Sequence, residues 1–367
     1  MIKSLEDIYK ESGCFLHEGS KVSGVTKWQS PSNIALVKYW GKHGNQLPAN
    51  PSLSLTLSKS FTETEISYSS KEKEVDIYYS FELDGAENKT FANRIGSFLK
   101  SIEPYFPFLT QLKLAIKSHN TFPHSSGIAS SASAYSALAL CLCSIEKQIF
   151  NNYIDEDSFL MKASFIARLG SGSASRSVYG EVVSWGDNNV FPGTSDLFAS
   201  DISLQIHPVF KSFKNSILII DSGQKKVSSS LGHSLMKGHP FATTRFSQAN
   251  ANFQKLAVIL KNGDVEGFIE VVENEALTLH SMMMTSKPWF ILMSPETIKV
   301  LSLIREYREE TGVPVCFTVD AGPNIHLLYP REYSEKVSDF INSLITEEFV
   351  VQNVIFDDVG KGPLKVI

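Results

Sequence analysis

Residues 122–134 read Phe-Pro-His-Ser-Ser-Gly-Ile-Ala-Ser-Ser-Ala-Ser-Ala, and they run straight into an apolar, alanine-rich segment, 135–145. That segment reads as a helix. A loop almost free of side-chain bulk, feeding a helix start, leaves first-turn N–H groups unpaired at the positive end of the helix dipole. Such an end binds phosphate. The plainer alternative is a small-residue helix start that only permits close packing. The stretch is neither a G-x-x-x-x-G-K-[ST] loop nor a dinucleotide G-x-G-x-x-G.

The 367 residues suit two domains or one large one, and 43% hydrophobic with 20% charged residues is ordinary for a globular chain. A net charge of −5 argues against a nucleic-acid partner, which calls for a basic excess, but leaves room for small anionic ligands at a local basic patch. Cys14, Cys141, Cys143 and Cys316 form no C-x-x-C pair and no zinc spacing, so neutral thiols in a reducing compartment are expected. The histidines make no H-E-x-x-H or H-x-x-x-H pattern. Residues 1–20 mix charges throughout, unlike a signal peptide, and the most apolar run, 137–143, is too short to span a bilayer. A cytoplasmic protein with no membrane partner is expected.

Periodicity predicts an α+β chain. Residues 62–68 and 75–81 read as paired strands about a charged turn. Then come a helix at 91–102, a strand at 112–118, a helix at 157–169 ended by Gly170, and strands at 181–185 and 216–220. Helices are expected at 242–260, 265–279 and 295–310. The close is two strands (315–319, 325–329), a helix (333–344) and a strand (350–356), a split β-α-β layer. The domain boundary is placed at 208/209, giving 1–208 and 209–367.

Three further motifs carry chemistry. In Pro31-Ser-Asn-Ile-Ala-Leu-Val-Lys-Tyr-Trp-Gly-Lys42, a buried-strand run precedes Lys38 and Lys42. Two lysines there hold phosphate as point charges, or are simply solvated, the commoner fate of lysine. In Gly170-Ser-Gly-Ser-Ala-Ser-Arg-Ser177, Arg176 stands alone among Gly, Ala and Ser. That setting suits a carboxylate or phosphate, or else the arginine pairs with a structural carboxylate. In Thr318-Val-Asp-Ala-Gly-Pro-Asn324, Asp320 ends a β run. It serves as a general base or orients a hydroxyl, or it closes an Asx-turn. The turn Gly360-Lys-Gly-Pro363 is expected to close beside these motifs.

In this order and at these distances the motifs resemble the GHMP kinase superfamily, and within it the diphosphomevalonate decarboxylase family. The loop is similar to that superfamily's Pro-x-x-x-Gly-Leu-x-Ser-Ser-Ala, with Ile128 for Leu. Asn-Ile-Ala-x-x-Lys-Tyr-Trp-Gly-Lys at 33–42, Ser-Leu-Ser-x-Thr-Leu at 52–57, Gly-Ser-Gly-Ser-Ala-x-Arg-Ser at 170–177, the Met-rich 279–286 and Asp-Ala-Gly-Pro-Asn at 320–324 resemble the decarboxylases. The likeness runs from about residue 28 to 362.

The resemblance implies a ribosomal-S5-like N-terminal half on a ferredoxin-like C-terminal half, with the active site between them. It implies ATP-dependent decarboxylation of mevalonate 5-diphosphate to isopentenyl diphosphate, ADP, phosphate and CO2, in the mevalonate pathway of isoprenoid biosynthesis. Asp320, Arg176 and Lys38 would be catalytic. Tyr39, Lys42, Ser171, Gly172, Ser173, Ser229 and Ser230 would bind substrate. Ser125, Ser126, Gly127, Ala129, Ser130 and Ser131 would hold ATP, with Mg²⁺ at Ser130 and Ser131. A homodimer is implied, as for many members. The family pattern is broken at Pro51 and at His124 and Ser125. The run 225–233 resembles the substrate-diphosphate loop, but Ser230 stands where many bacterial members have Arg and eukaryotic-type members have Thr. A kinase or decarboxylase of mevalonate 5-phosphate or 3,5-bisphosphate, and a non-catalytic binding protein of the same fold, therefore stay open.

Overall fold

The computed structural model describes residues 4–72, 76–123, 128–153, 155–221, 229–346 and 350–367. Two long strands, Ser23–Val37 and Ser52–Ser70, run antiparallel from Ser23 opposite Ser69 to Val37 opposite Leu53. Register shifts fall between Pro31 and Asn33 and between Ala35 and Val37. Proline has no N–H for the ladder, so an irregularity there is expected. The outer half of Ser52–Ser70 alternates in burial and its inner end is buried throughout, as for a strand covered on one face and then on both.

Among the described residues this sheet has eight strands. Its main path is Leu364–Lys365, Ser23–Val37, Ser52–Ser70, Leu112–Asn120, Tyr78–Leu83 and Ala86–Glu87. Val182–Trp185 pairs with the inner end of Ser52–Ser70. The expected hairpin of 62–68 with 75–81 is corrected here. Leu112–Asn120 lies between them, antiparallel to Ser52–Ser70 and parallel to Tyr78–Leu83. The helix Lys89–Ile102 supplies the crossover that a parallel pair needs. The helices Ser130–Phe150 and Glu156–Gly170 pack with it over a core including Ile66, Leu99, Leu114, Leu140 and Phe165. Gly170 is the last helical residue rather than a left-handed stop. A Cβ there would come within 2.3 Å of the Tyr135 ring, so close approach explains the glycine.

The second sheet is antiparallel, in the order Cys316–Val319, Ile325–Tyr329, Lys214–Ile219, Asn353–Asp358. With the Ser334–Thr346 helix it forms the expected β-β-α-β close. Ala242–Asn262, Val265–Met284 and Pro295–Thr311 precede it, started by Asp264 and by a Ser294–Thr297 capping box and ended by left-handed Gly263 and Gly312. The two sheets are tied at Asp357, whose buried carboxylate accepts the N–H groups of Ser58, Lys59 and Ser60, each at 2.8 Å. The turn at Gly360 docks on this joint, bonded to Thr56 of the 52–57 motif and to Glu181. All four cysteines are free, and burial pushes the Cys143 thiol up to about 12.

Candidate active site

Lys38 leaves the end of Ser23–Val37, and Asp320 leaves the end of Cys316–Val319. The two sheets thus bring their side chains together, Nζ to Oδ1 at 2.7 Å. Lys38 is only 1% exposed, so it is not a solvated strand-end lysine. A buried carboxylate holds its backbone: the Lys38 N–H donates to Glu275 Oε2 at 2.9 Å. Arg245 grips Glu275 with both Nη atoms at 2.9 and 2.6 Å, and Asn252 donates at 2.7 Å. Asp320 is fixed from its own carbonyl, which accepts from His280 Nε2 at 3.0 Å. The turn after it is closed by main chain, Gly322 N–H to Asp320 carbonyl at 2.7 Å.

Arg176 sits in the 3-10 turn Gly172–Val178 and is 3% exposed. Nε donates to Asn33 Oδ1 at 3.1 Å, Nη1 to Ser52 Oγ at 2.9 Å, and the Trp185 ring lies 5.8 Å from the guanidinium carbon. No carboxylate among the described residues lies within ion-pair distance of it. Burial lowers its pKa to about 10, against the opposing charge of Asp320. A buried cation held only by neutral groups is costly, and an anionic ligand would relieve that cost.

The Ser130–Phe150 helix starts from Ala129 in the left-handed region (φ 46°), with no side-chain cap. Among the described residues no side chain accepts its first-turn N–H groups. Ser131 Oγ lies 3.4 Å from Ser171 Oγ, and Ser171 Oγ 3.4 Å from Ser173 Oγ. These elements enclose one cavity of about 850 Å³. Every described candidate lines it: Lys38, Tyr39, Lys42, Ala129, Ser130, Ser131, Ser171, Gly172, Ser173, Arg176, Ser229, Ser230 and Asp320. Ser125, Ser126 and Gly127 lie outside the described residues, as do His124 and 225–228. No group of three or more His, Cys, Asp or Glu side chains able to hold a metal occurs among the described residues. Hydroxyl oxygens beside an uncapped helix end do fit a hard cation that brings its own phosphate ligands.

Parts of the cavity escaped sequence reasoning. A wing runs between Tyr78–Leu83 and Lys89–Ile102, walled by Phe81, Leu83, Phe91, Ile95 and Leu138 with Arg94 and Asn120 at polar positions. Apolar residues at strand and helix spacing look like core, and no sequence signal separates them. Glu275 and Arg245 had no signal either.

His280 and His326 are each 2% exposed. Burial holds both neutral, with pKa values lowered to about 4. Unfolded histidine titrates near 6.5, so between pH 6.5 and 4 the unfolded chain binds more protons than the folded one. Stability is full above pH 6.5 and is lost as pH falls, by roughly 2 kcal/mol per histidine at pH 5. Urea unfolding at pH 7 and pH 5 checks this; equal stability at both would contradict it.

Among the described residues an eight-stranded sheet and a four-stranded sheet meet at Asp357 and at the Lys38–Asp320 pair, with a small-residue helix start and a strand-end aspartate on one cavity, and these define the GHMP kinase fold. The Diphosphomevalonate decarboxylase-like N-terminal domain matches residues 30–197, and the Mevalonate 5-diphosphate decarboxylase C-terminal domain matches 216–361. The chain belongs to the diphosphomevalonate decarboxylase family. A Gibberella zeae diphosphomevalonate decarboxylase is 31% identical over 85% of this chain and 81% of its own. One from Candida albicans is 28% identical over 84% and 85%. The crystal structure of mevalonate diphosphate decarboxylase from Staphylococcus aureus superposes with a TM-score of 0.78 at 27% identity, covering 94% of this chain and 99% of that one. A structure of MDDEF in complex with MVAPP, AMPPCP and magnesium gives 0.78 at 26%, over the same shares. Among the described residues no helix is long and apolar enough to cross a membrane.

Proposed function

We propose that this chain catalyses the ATP-dependent decarboxylation of mevalonate 5-diphosphate to isopentenyl diphosphate, with ADP, phosphate and CO2 as the other products. The observation that carries the reading is Arg176, a buried guanidinium with no carboxylate in ion-pair distance among the described residues, lining the same cavity as the Lys38–Asp320 pair. A kinase alone needs the base. A carboxylate clamp is useful mainly where carboxylate leaves.

The substrate's tertiary C3 hydroxyl is a weak nucleophile, and hydroxide is a poor leaving group. Asp320, tethered by Lys38, orients that hydroxyl and takes its proton as the oxygen bonds to the γ-phosphorus of ATP and the bond from that phosphorus to the β,γ-bridging oxygen breaks, ADP leaving with the electron pair. Lys38 and the helix-start amides offset charge on the transferring phosphoryl group. The C3–O bond then breaks, and phosphate leaves with the electron pair. Arg176 holds the C1 carboxylate in line, with Ser171, Gly172 and Ser173 beside it. The C1–C2 electrons form the C2–C3 double bond, and CO2 departs. Lys42, Ser229 and Ser230 face the 5-diphosphate with Tyr39. The nucleotide lies with its phosphates at Ala129, Ser130 and Ser131 and its base in the apolar wing. The hydroxyls of Ser130 and Ser131 would hold Mg²⁺, which would supply positive charge against phosphoryl oxygens. The rate gain on this reading is mostly positioning and charge stabilisation.

Domains 1–208 and 209–367, with the family matches on either side of the boundary, a homodimer and a cytoplasmic location belong to the same proposal. The test is a substrate panel of mevalonate, its 5-phosphate, its 5-diphosphate and its 3,5-bisphosphate, scored for ADP and CO2. Both products from the 5-diphosphate alone are expected. Preference for the 5-phosphate or 3,5-bisphosphate would transfer the reaction to that substrate, and ADP without CO2 would make the chain a kinase.

A further inference from the structure

His233, on the short Ser229–Ser234 helix, has no part in the reaction scheme above. Its ring lies against Tyr39 and Trp40, with centroids 4.3 and 4.7 Å apart. Nδ1 accepts the N–H of Gly41 at 3.0 Å. Gly232 permits this seat, since a Cβ there would come within 2.4 Å of the Trp40 ring. An imidazole that accepts at Nδ1 carries its proton on Nε2 when neutral. Burial, then the charges of Lys42 and Arg176, lower the pKa to about 3, so the ring stays neutral in the free protein.

Nε2 has no hydrogen-bond partner among the described residues. The same ring forms part of the cavity wall, with Lys42, Ser229 and Ser230. With Nδ1 bonded to Gly41, Nε2 is the nitrogen this wall residue has left for a ligand.

We propose that His233 is a binding residue of this site, its Nε2–H donating to a phosphoryl oxygen of the substrate's 5-diphosphate while Nδ1 stays locked to Gly41. This rests on the functional reading above and deepens it. Lys42 attracts phosphate from any direction, whereas a ring fixed at Nδ1 and stacked on two aromatics offers its proton along one line. Such a donor selects where the phosphoryl chain lies, and not only that it is anionic.

The test is calorimetric binding of mevalonate 5-diphosphate and, separately, of the ATP analogue AMPPCP to wild type, His233→Asn and His233→Gln, with the thermal midpoint of each. Asparagine keeps an acceptor for Gly41 and loses the distal donor; glutamine restores a donor near Nε2. His233→Asn is expected to weaken mevalonate 5-diphosphate about 10- to 100-fold and AMPPCP by less than about threefold, with His233→Gln recovering most of the loss. Unchanged substrate affinity in His233→Asn would overturn the inference alone. So would equal loss of both ligands with a lowered midpoint, or loss confined to AMPPCP. A wild-type chain that fails to bind mevalonate 5-diphosphate would overturn the functional reading and the inference together.

Discussion

Asp320→Asn is expected to lower kcat about 10²- to 10⁴-fold, the range for a lost general base. AMPPCP and mevalonate 5-diphosphate should still bind within a few-fold. The side chain keeps its size and its place after the Cys316–Val319 strand, so the cavity keeps its shape. What is lost is the negative charge 2.7 Å from the Lys38 ammonium. Lys38 is then buried beside a neutral amide, so the thermal midpoint should also fall. Calorimetry of both ligands, beside ADP release in a single turnover, separates the two effects. Turnover within a few-fold of wild type would remove Asp320 from the chemistry.

Arg176→Ala is expected to cost roughly 10²-fold or more in CO2 release, as when a charge-stabilising donor is removed. Truncation also leaves Asn33 Oδ1 and Ser52 Oγ without the guanidinium they hold, so some stability should go with it. A structural arginine and a carboxylate clamp differ in what happens to the products. If Arg176 acts on the departing carboxylate, the variant should still make ADP, and the ratio of CO2 to ADP should drop below one. Arg176→Lys keeps the charge but not the fork that reaches Asn33 and Ser52, and should recover only part of the rate. A variant that slows ADP and CO2 equally, with a lowered midpoint and full recovery on refolding additives, would make Arg176 structural.

The local signals were legible because they are local. The uncapped small-residue start at Ser130 follows from a few adjacent residues. Pairing across the molecule was not. Lys38 and Asp320 are 282 positions apart, and each alone reads as an ordinary strand-end residue. Only the joining of the two sheets turns them into an ion pair. The hairpin expected at 62–68 and 75–81 failed for a related reason. Both segments have good strand character, but Leu112–Asn120 comes from further along the chain and takes the place between them. Glu275 sits on a helix whose apolar stripe is easily read, and a lone carboxylate there gives no hint that it accepts the Lys38 N–H. The apolar wing was hidden because Phe81 and Ile95 keep the spacing of a core, and a cavity is seen only when the second wall is in place.

The measurement that bears most directly on the paired roles of Asp320 and Arg176 is the molar ratio of CO2 to ADP. It is taken on the same aliquots as purified protein turns over mevalonate 5-diphosphate with MgATP. One CO2 for each ADP through the whole course is expected. ADP accumulating without CO2, or neither product formed, would contradict the assignment of a phosphorylating carboxylate and a decarboxylating guanidinium to one cavity.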